Sequence, residues 1–206
     1  MPPPEIKYGN TKDPAKRAVM DEAAKCKQID KMGLDPLTAR VICYAAVGMI
    51  GGEVKEHSDI MCELTDESEI AVLQSIFAML GADDARIITW NGINFDLPMV
   101  YKRAMILGVD PGNFGAPPLT AWTKRYSTDR HYDLMQIWGD WKSSEFTKLE
   151  TVSRIMLGAG KDEIDFADFP ELMKTEEGRA CIDSYCVTDT RRTWELFEKF
   201  NGYLFI

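Results

Sequence analysis

At 206 residues, with 45% hydrophobic and 28% charged side chains, the chain has the make-up of one soluble globular domain and not of a disordered segment. No apolar run approaches the roughly 20 residues of a membrane-spanning helix, and the opening Met1-Pro2-Pro3-Pro4-Glu5 lacks an apolar signal-peptide core. The net charge of −9 excludes a protein that coats nucleic acid by bulk electrostatics, because such affinity comes from neutralised phosphates.

Residues 2–12 are Pro-rich, then polar, and predict an extended segment. Asp13-Pro14 opens a helix, the acid capping and the proline in the first turn. That helix runs to about Lys31 and stops at Gly33. Its apolar side chains (Ala15, Val19, Met20, Ala23, Ala24, Ile29) are few, so one narrow face packs. Residues 1–35 thus form an extended segment and a helix packing on a single domain that spans 1–206. The near-continuous apolar run Arg40 to Ile50, ending at Gly51-Gly52, predicts a buried central strand. Ser58 to Cys62 is its expected hairpin partner. Asp66 to Leu80 has helical periodicity, with Thr65 or Asp66 as cap. Arg86 to Trp90 reads as a strand and Pro98 to Leu107 as a helix. Residues 109–128, rich in Gly, Pro and aromatics, read as a long loop. His131 to Trp138 begins as a short strand or helix start and becomes helical. Lys148 to Leu157 and Ala180 to Phe200 complete the helices, Gly158 closing the first. This order predicts an α/β domain with a mixed sheet flanked by helices. The five cysteines (Cys26, Cys43, Cys62, Cys181, Cys186) lack CxxC spacing. They predict reduced, mostly buried thiols of a cytosolic protein.

Two segments carry chemistry. In Trp90-Asn91-Gly92-Ile93-Asn94-Phe95-Asp96-Leu97-Pro98 a β-branched strand ends in an Asn-Gly turn, and both turn residues accept positive φ. The turn presents Asp96 at the C-terminal edge of the strand, where open α/β sheets place ligands. Asp96 is a candidate ligand for Mg²⁺, or else a cap for the helix that follows. In Asp183-x-Tyr185-Cys186-x-x-Asp189, Tyr185 and Asp189 share one helix face. A carboxylate there holds a metal and a phenol orients water. Between the two segments, His131-Tyr132-Asp133-Leu134 offers Asp133 as support for the site or as a helix N-cap, and His131 as a hydrogen-bonding histidine. A local basic strip is expected beside an acidic nuclease site. Lys102-Arg103, Lys124-Arg125 and Arg130-His131 are its candidates, each of which also reads as ordinary surface charge.

These strings resemble the second and third motifs of the DEDD (DnaQ-like) 3′–5′ exonucleases, in the subclass with Tyr in the third. Gly9-Asn10-x-Lys12-Asp13-Pro14 and Leu34-Asp35-Pro36-Leu37-Thr38-x-Arg40-Val41 are similar to a bacterial and phage subgroup related to the proofreading domain of family B DNA polymerases. The resemblance implies a ribonuclease H-like fold. It implies Mg²⁺ or Mn²⁺ on Asp96 and Asp189, water oriented by Tyr185, and substrate contacts from Asn91, Asn94 and Phe95. Its implied partners are single-stranded DNA or DNA 3′ ends, and a DNA polymerase. The family's first motif, an Asp-x-Glu on a strand lying between those near Val41 and Ile87, has no counterpart here. Asp21-Glu22, Asp66-Glu67 and Asp162-Glu163 follow no apolar strand, and Glu5, Glu53 and Glu63 lack a paired acid. The expectation is a truncated exonuclease, or a catalytically inactive relative that binds nucleic acid or a polymerase. With two motif carboxylates, the chain alone is expected to be weakly active or inactive.

Overall fold

The structure is a computed structural model that describes residues 6–50, 53–158 and 164–204. Glu5, Gly51, Gly52 and Asp162-Glu163 lie outside those residues. The chain divides into two compact units, residues 1–40 and 41–206. In the first, helix α1 (Pro14–Gly33) begins where Asp13 Oδ1 accepts the Ala15 amide. The preceding segment is turned rather than extended. Thr11 N–H bonds Tyr8 C=O, Tyr8 donates its hydroxyl to Asp21 at 2.7 Å, and Arg17 lies over the Tyr8 ring. Val19 on α1 is 70% exposed.

The second unit holds β1 (Cys43–Ile50), β2 (Glu53–Ile60), α2 (Asp66–Leu80), β3 (Ile87–Thr89) and α3 (Asp96–Leu107). After a loop with short helical turns, including α4 (Leu119–Trp122), come β4 (His131–Asp133), α5 (Leu134–Trp138), α6 (Leu149–Leu157), α7 (Phe169–Leu172) and α8 (Glu176–Phe200). Strands β1 and β2 form an antiparallel hairpin, and β3 pairs with β4 in parallel. Among the described residues these are two separate two-stranded sheets. The fold is therefore α/β with small sheets flanked by helices. β1 is mostly half-buried, with Met49 62% exposed, not the fully buried central strand its composition suggests. Its only strand partner among the described residues is β2, which leaves the other edge without a ladder.

Strand alternation decides which face of the hairpin meets α8. Cys43, Ser58 and Glu56 share one face by register. They contact Cys186, Asp183 and Arg191 of α8 in turn. Tyr44 points the other way into the core around Leu73, Phe77, Leu97 and Trp122. Within this core Glu69 and Arg103 form a two-pronged ion pair at 2.7 Å, and Glu69 also accepts the Val41 amide at 3.0 Å. Arg103 is 6% exposed, so it belongs to the core and not to a basic strip. A smaller cluster packs Leu134, Val152, Leu196 and Phe200. Among the described residues no helix is long and apolar enough to cross a membrane.

Candidate active site

The turn after β3 is built by three backbone devices. Asn91 sits at φ 75°. Gly92 packs so close to Thr89 that a Cβ there would lie 2.3 Å from Thr89 Oγ1. The Asp133 carboxylate accepts the amides of Asn91 at 3.1 Å and Ile93 at 2.9 Å. The same carboxylate caps α5 through the Gln136 amide at 3.2 Å. The N-cap reading of Asp133 describes the structure, the same carboxylate also holds the Asn91–Ile93 turn, and its full burial explains why it takes several N–H donors.

His131 is buried and bonded at both nitrogens, to Thr89 Oγ1 at 2.7 Å and Trp122 C=O at 2.8 Å. Trp122 C=O only accepts, so Nδ1 carries the proton. Nε2 of the neutral ring then takes the Thr89 hydroxyl proton, while Thr89 Oγ1 receives the Gly92 amide at 2.9 Å. Burial holds the His131 pKa below its ordinary value, in keeping with the neutral ring.

Asp96 is the first residue of α3; the N-cap position is held by Phe95, whose side chain makes no capping bond. Its side chain keeps solvent contact, yet protein crowds the carboxyl. Lost hydration pushes its pKa up to about 6, with the Asp133 charge adding to the shift and its own amide opposing. Asn94 donates to Asn91 Oδ1 at 3.0 Å and is exposed, as is Phe95.

On α8, Tyr185 stands one turn before Asp189. Burial first, then the nearby Asp189 carboxylate, push the phenol up to about 12, so it stays protonated. Asp189 also pairs with Arg192 at 3.5 Å. Interaction with the Cys186 thiol first, and burial second, raise the Cys43 pKa. The same interaction lowers Cys186, against burial and the charges of Asp183, Asp189 and Asp96. Asp183 accepts from Ser58 through Oδ2, while its buried Oδ1 has no hydrogen-bond partner among the described residues. The Asp183, Cys43 and Arg192 contacts escaped the sequence reading. Only Arg192, three residues after Asp189, carried a local signal. The thiols are less buried than expected: Cys43 and Cys186 are half-buried, and Cys62 and Cys181 are exposed.

Asp96 and Asp189 offer the hard oxygens that Mg²⁺ or Mn²⁺ prefers. No group of three His, Cys, Asp or Glu among the described residues is placed to hold a metal. The acids fit such an ion in kind and fall short in number.

A family model described as a predicted 3′–5′ exonuclease related to the exonuclease domain of PolB matches residues 34–203. The chain is 29% identical over 164 residues to the DNA polymerase catalytic subunit of human herpesvirus 8, covering 66% of this chain and 16% of that protein. It is 29% identical over 124 residues to a DNA polymerase of Thermococcus litoralis, covering 55% of this chain and 7% of that protein. The match to each of these polymerases spans less than a fifth of its length.

Proposed function

This chain belongs to the predicted 3′–5′ exonucleases related to the exonuclease domain of PolB, and on that footing we propose that it is a hydrolase removing nucleotides from DNA 3′ ends. The fold we assign is ribonuclease H-like and the subclass is the one with Tyr in the third motif. What supports the reading is the placement of Tyr185 and Asp189 one turn apart on α8, with Asp96 opening α3 after the Asn91–Ile93 turn. Asp96 and Asp189 would hold Mg²⁺ or Mn²⁺, which when bound supplies an activated water and neutralises the leaving oxygen. The chain's own part is positional. Protonated Tyr185 orients the attacking water, and Asp133 fixes the Asn91–Ile93 turn that carries Asn94, Phe95 and Asp96. Single-stranded DNA 3′ ends are the substrate, a DNA polymerase is the partner, and the cytoplasm is the location.

The test is release of mononucleotides from 3′-labelled single-stranded DNA with Mn²⁺. Slow release, lost in Asp96→Ala and in Asp189→Ala, is the expected result. No release at any enzyme concentration overturns the enzymatic reading. It leaves a binding module without cleavage.

A further inference from the structure

Of the three basic pairs in the sequence, Arg103 and His131 are buried and bonded inside the fold. Lys124-Arg125 is different. The Arg125 guanidinium lies 4.8 Å over the Tyr126 ring, whose centroid is 5.3 Å from that of Trp141. Arg125 also donates to Trp141 C=O at 2.9 Å, which ties the loop before β4 to the turn after α5. Tyr126 is 68% exposed. Lys124 and Lys142 adjoin the cluster in sequence, Arg130 follows in the same loop, and all three are exposed. Asp129 and Asp140 stand 3.9 Å from Lys124 and Lys142 in solvent-exposed pairs, which neutralise little. Four cations against two acids make a positive island on a chain of net charge −9.

The backbone adds a second observation. Tyr126 holds φ 63° and Trp141 φ 61°, a left-handed conformation that is rare for bulky residues. Strain kept at an exposed tyrosine and a half-buried tryptophan is strain kept where side chains do work. We propose that Arg125, Tyr126 and Trp141 form a stacking platform for the bases of single-stranded DNA, with Lys124 and Lys142 meeting the adjoining phosphates. Rings and guanidinium planes accept any base face, and the lysines track the backbone. The platform joins the loop before β4 to the turn after α5. It rests on the exonuclease reading only for the choice of ligand.

The experiment measures binding of fluorescein-labelled oligo(dT) by anisotropy in EDTA, so that cleavage plays no part. Glycine accepts φ near 60°, so Tyr126→Gly and Trp141→Gly remove each ring without straining the turn. Each is expected to weaken binding at least about fivefold, and Lys124→Gln to flatten its salt dependence, with unchanged circular dichroism. Parental affinity in both glycine variants overturns the platform and leaves the pair as a clamp between two loops. No binding of oligo(dT) by the parent chain overturns it too, whereas failure of the nuclease reading is decided separately by release of 3′ label. Equal affinity for oligo(U) supports the platform with RNA as a ligand as well.

Discussion

The Asp133 carboxylate receives the amide of Asn91, 42 residues earlier, at 3.1 Å. One buried group thereby shapes the turn that carries Asn94, Phe95 and Asp96, while capping α5. Asp133→Ala strands three amide donors, each worth about 1–3 kcal/mol when buried unpaired. The expected loss of stability is about 3 kcal/mol or more by urea denaturation. A loss under 1 kcal/mol would mean that the turn is held by other contacts.

Asp96 titrates near 6 in the folded chain against an ordinary 3.8. Between those values the folded protein still holds a proton that the unfolded chain has released, so Asp96 lowers stability as pH rises from about 4 to 6. Asp96→Asn should therefore be neutral at about pH 3.5 and stabilising above pH 6. The gain is about 1 kcal/mol once the exposure of the carboxyl is allowed for. Thermal melts of both proteins across that range check it, and a gain confined to low pH contradicts the assignment.

His131 works in the opposite sense. Its lowered pKa means that the unfolded chain takes up a proton first as pH falls, so its contribution to stability declines below about pH 6.5. His131→Gln should flatten the acid side of the stability profile at the cost of a lower maximum. An unchanged acid limb in chemical denaturation would show that other groups set it.

Arg103→Met removes the two-pronged partner of the buried Glu69 carboxylate and should cost about 3–5 kcal/mol. Arg103→Met with Glu69→Leu removes both charges. It should recover part of that loss, limited by the abandoned Val41 amide. A double variant no better than the single one would show that the cost came from packing around the methionine.

Gly92→Ala places a methyl 2.3 Å from Thr89 Oγ1 and 2.7 Å from its Cβ. It should destabilise by about 2 kcal/mol or more. Because Thr89 also bonds His131, the imidazole resonances should move in an NMR spectrum. A silent His131 would separate the turn from that relay.

Helix α2 was legible from its apolar period and its cap, since Thr65 does accept the Ser68 amide. Gly158 closes α6 at φ 68°, as its composition suggested. Helix α8 begins four residues earlier than its apolar pattern, at Glu176. Thr175 caps it, and Gly178 packs against Leu172 where a Cβ would lie 2.1 Å from the carbonyl. Capping and a close approach leave no periodic trace in so polar a stretch. Strand β2 likewise starts at Glu53 instead of Ser58, because pairing to β1 makes it a strand while its own side chains are mostly exposed. The Asn-Gly turn and the Tyr185/Asp189 spacing were local and readable. Arg103 was misread as surface charge because its partner, Glu69, lies 34 residues away.

Glu69 acts as the benchmark from which the hairpin is measured. Its hold on the Val41 amide fixes where β1 starts, and the alternation that follows sends Cys43 to α8 and Tyr44 to the core. Sliding the strand by one residue would exchange those two addresses and set a phenol against the carboxylates of α8. The alignment of β1 with the Tyr185–Asp189 helix is thus surveyed from a carboxylate on another helix that takes no part in the site.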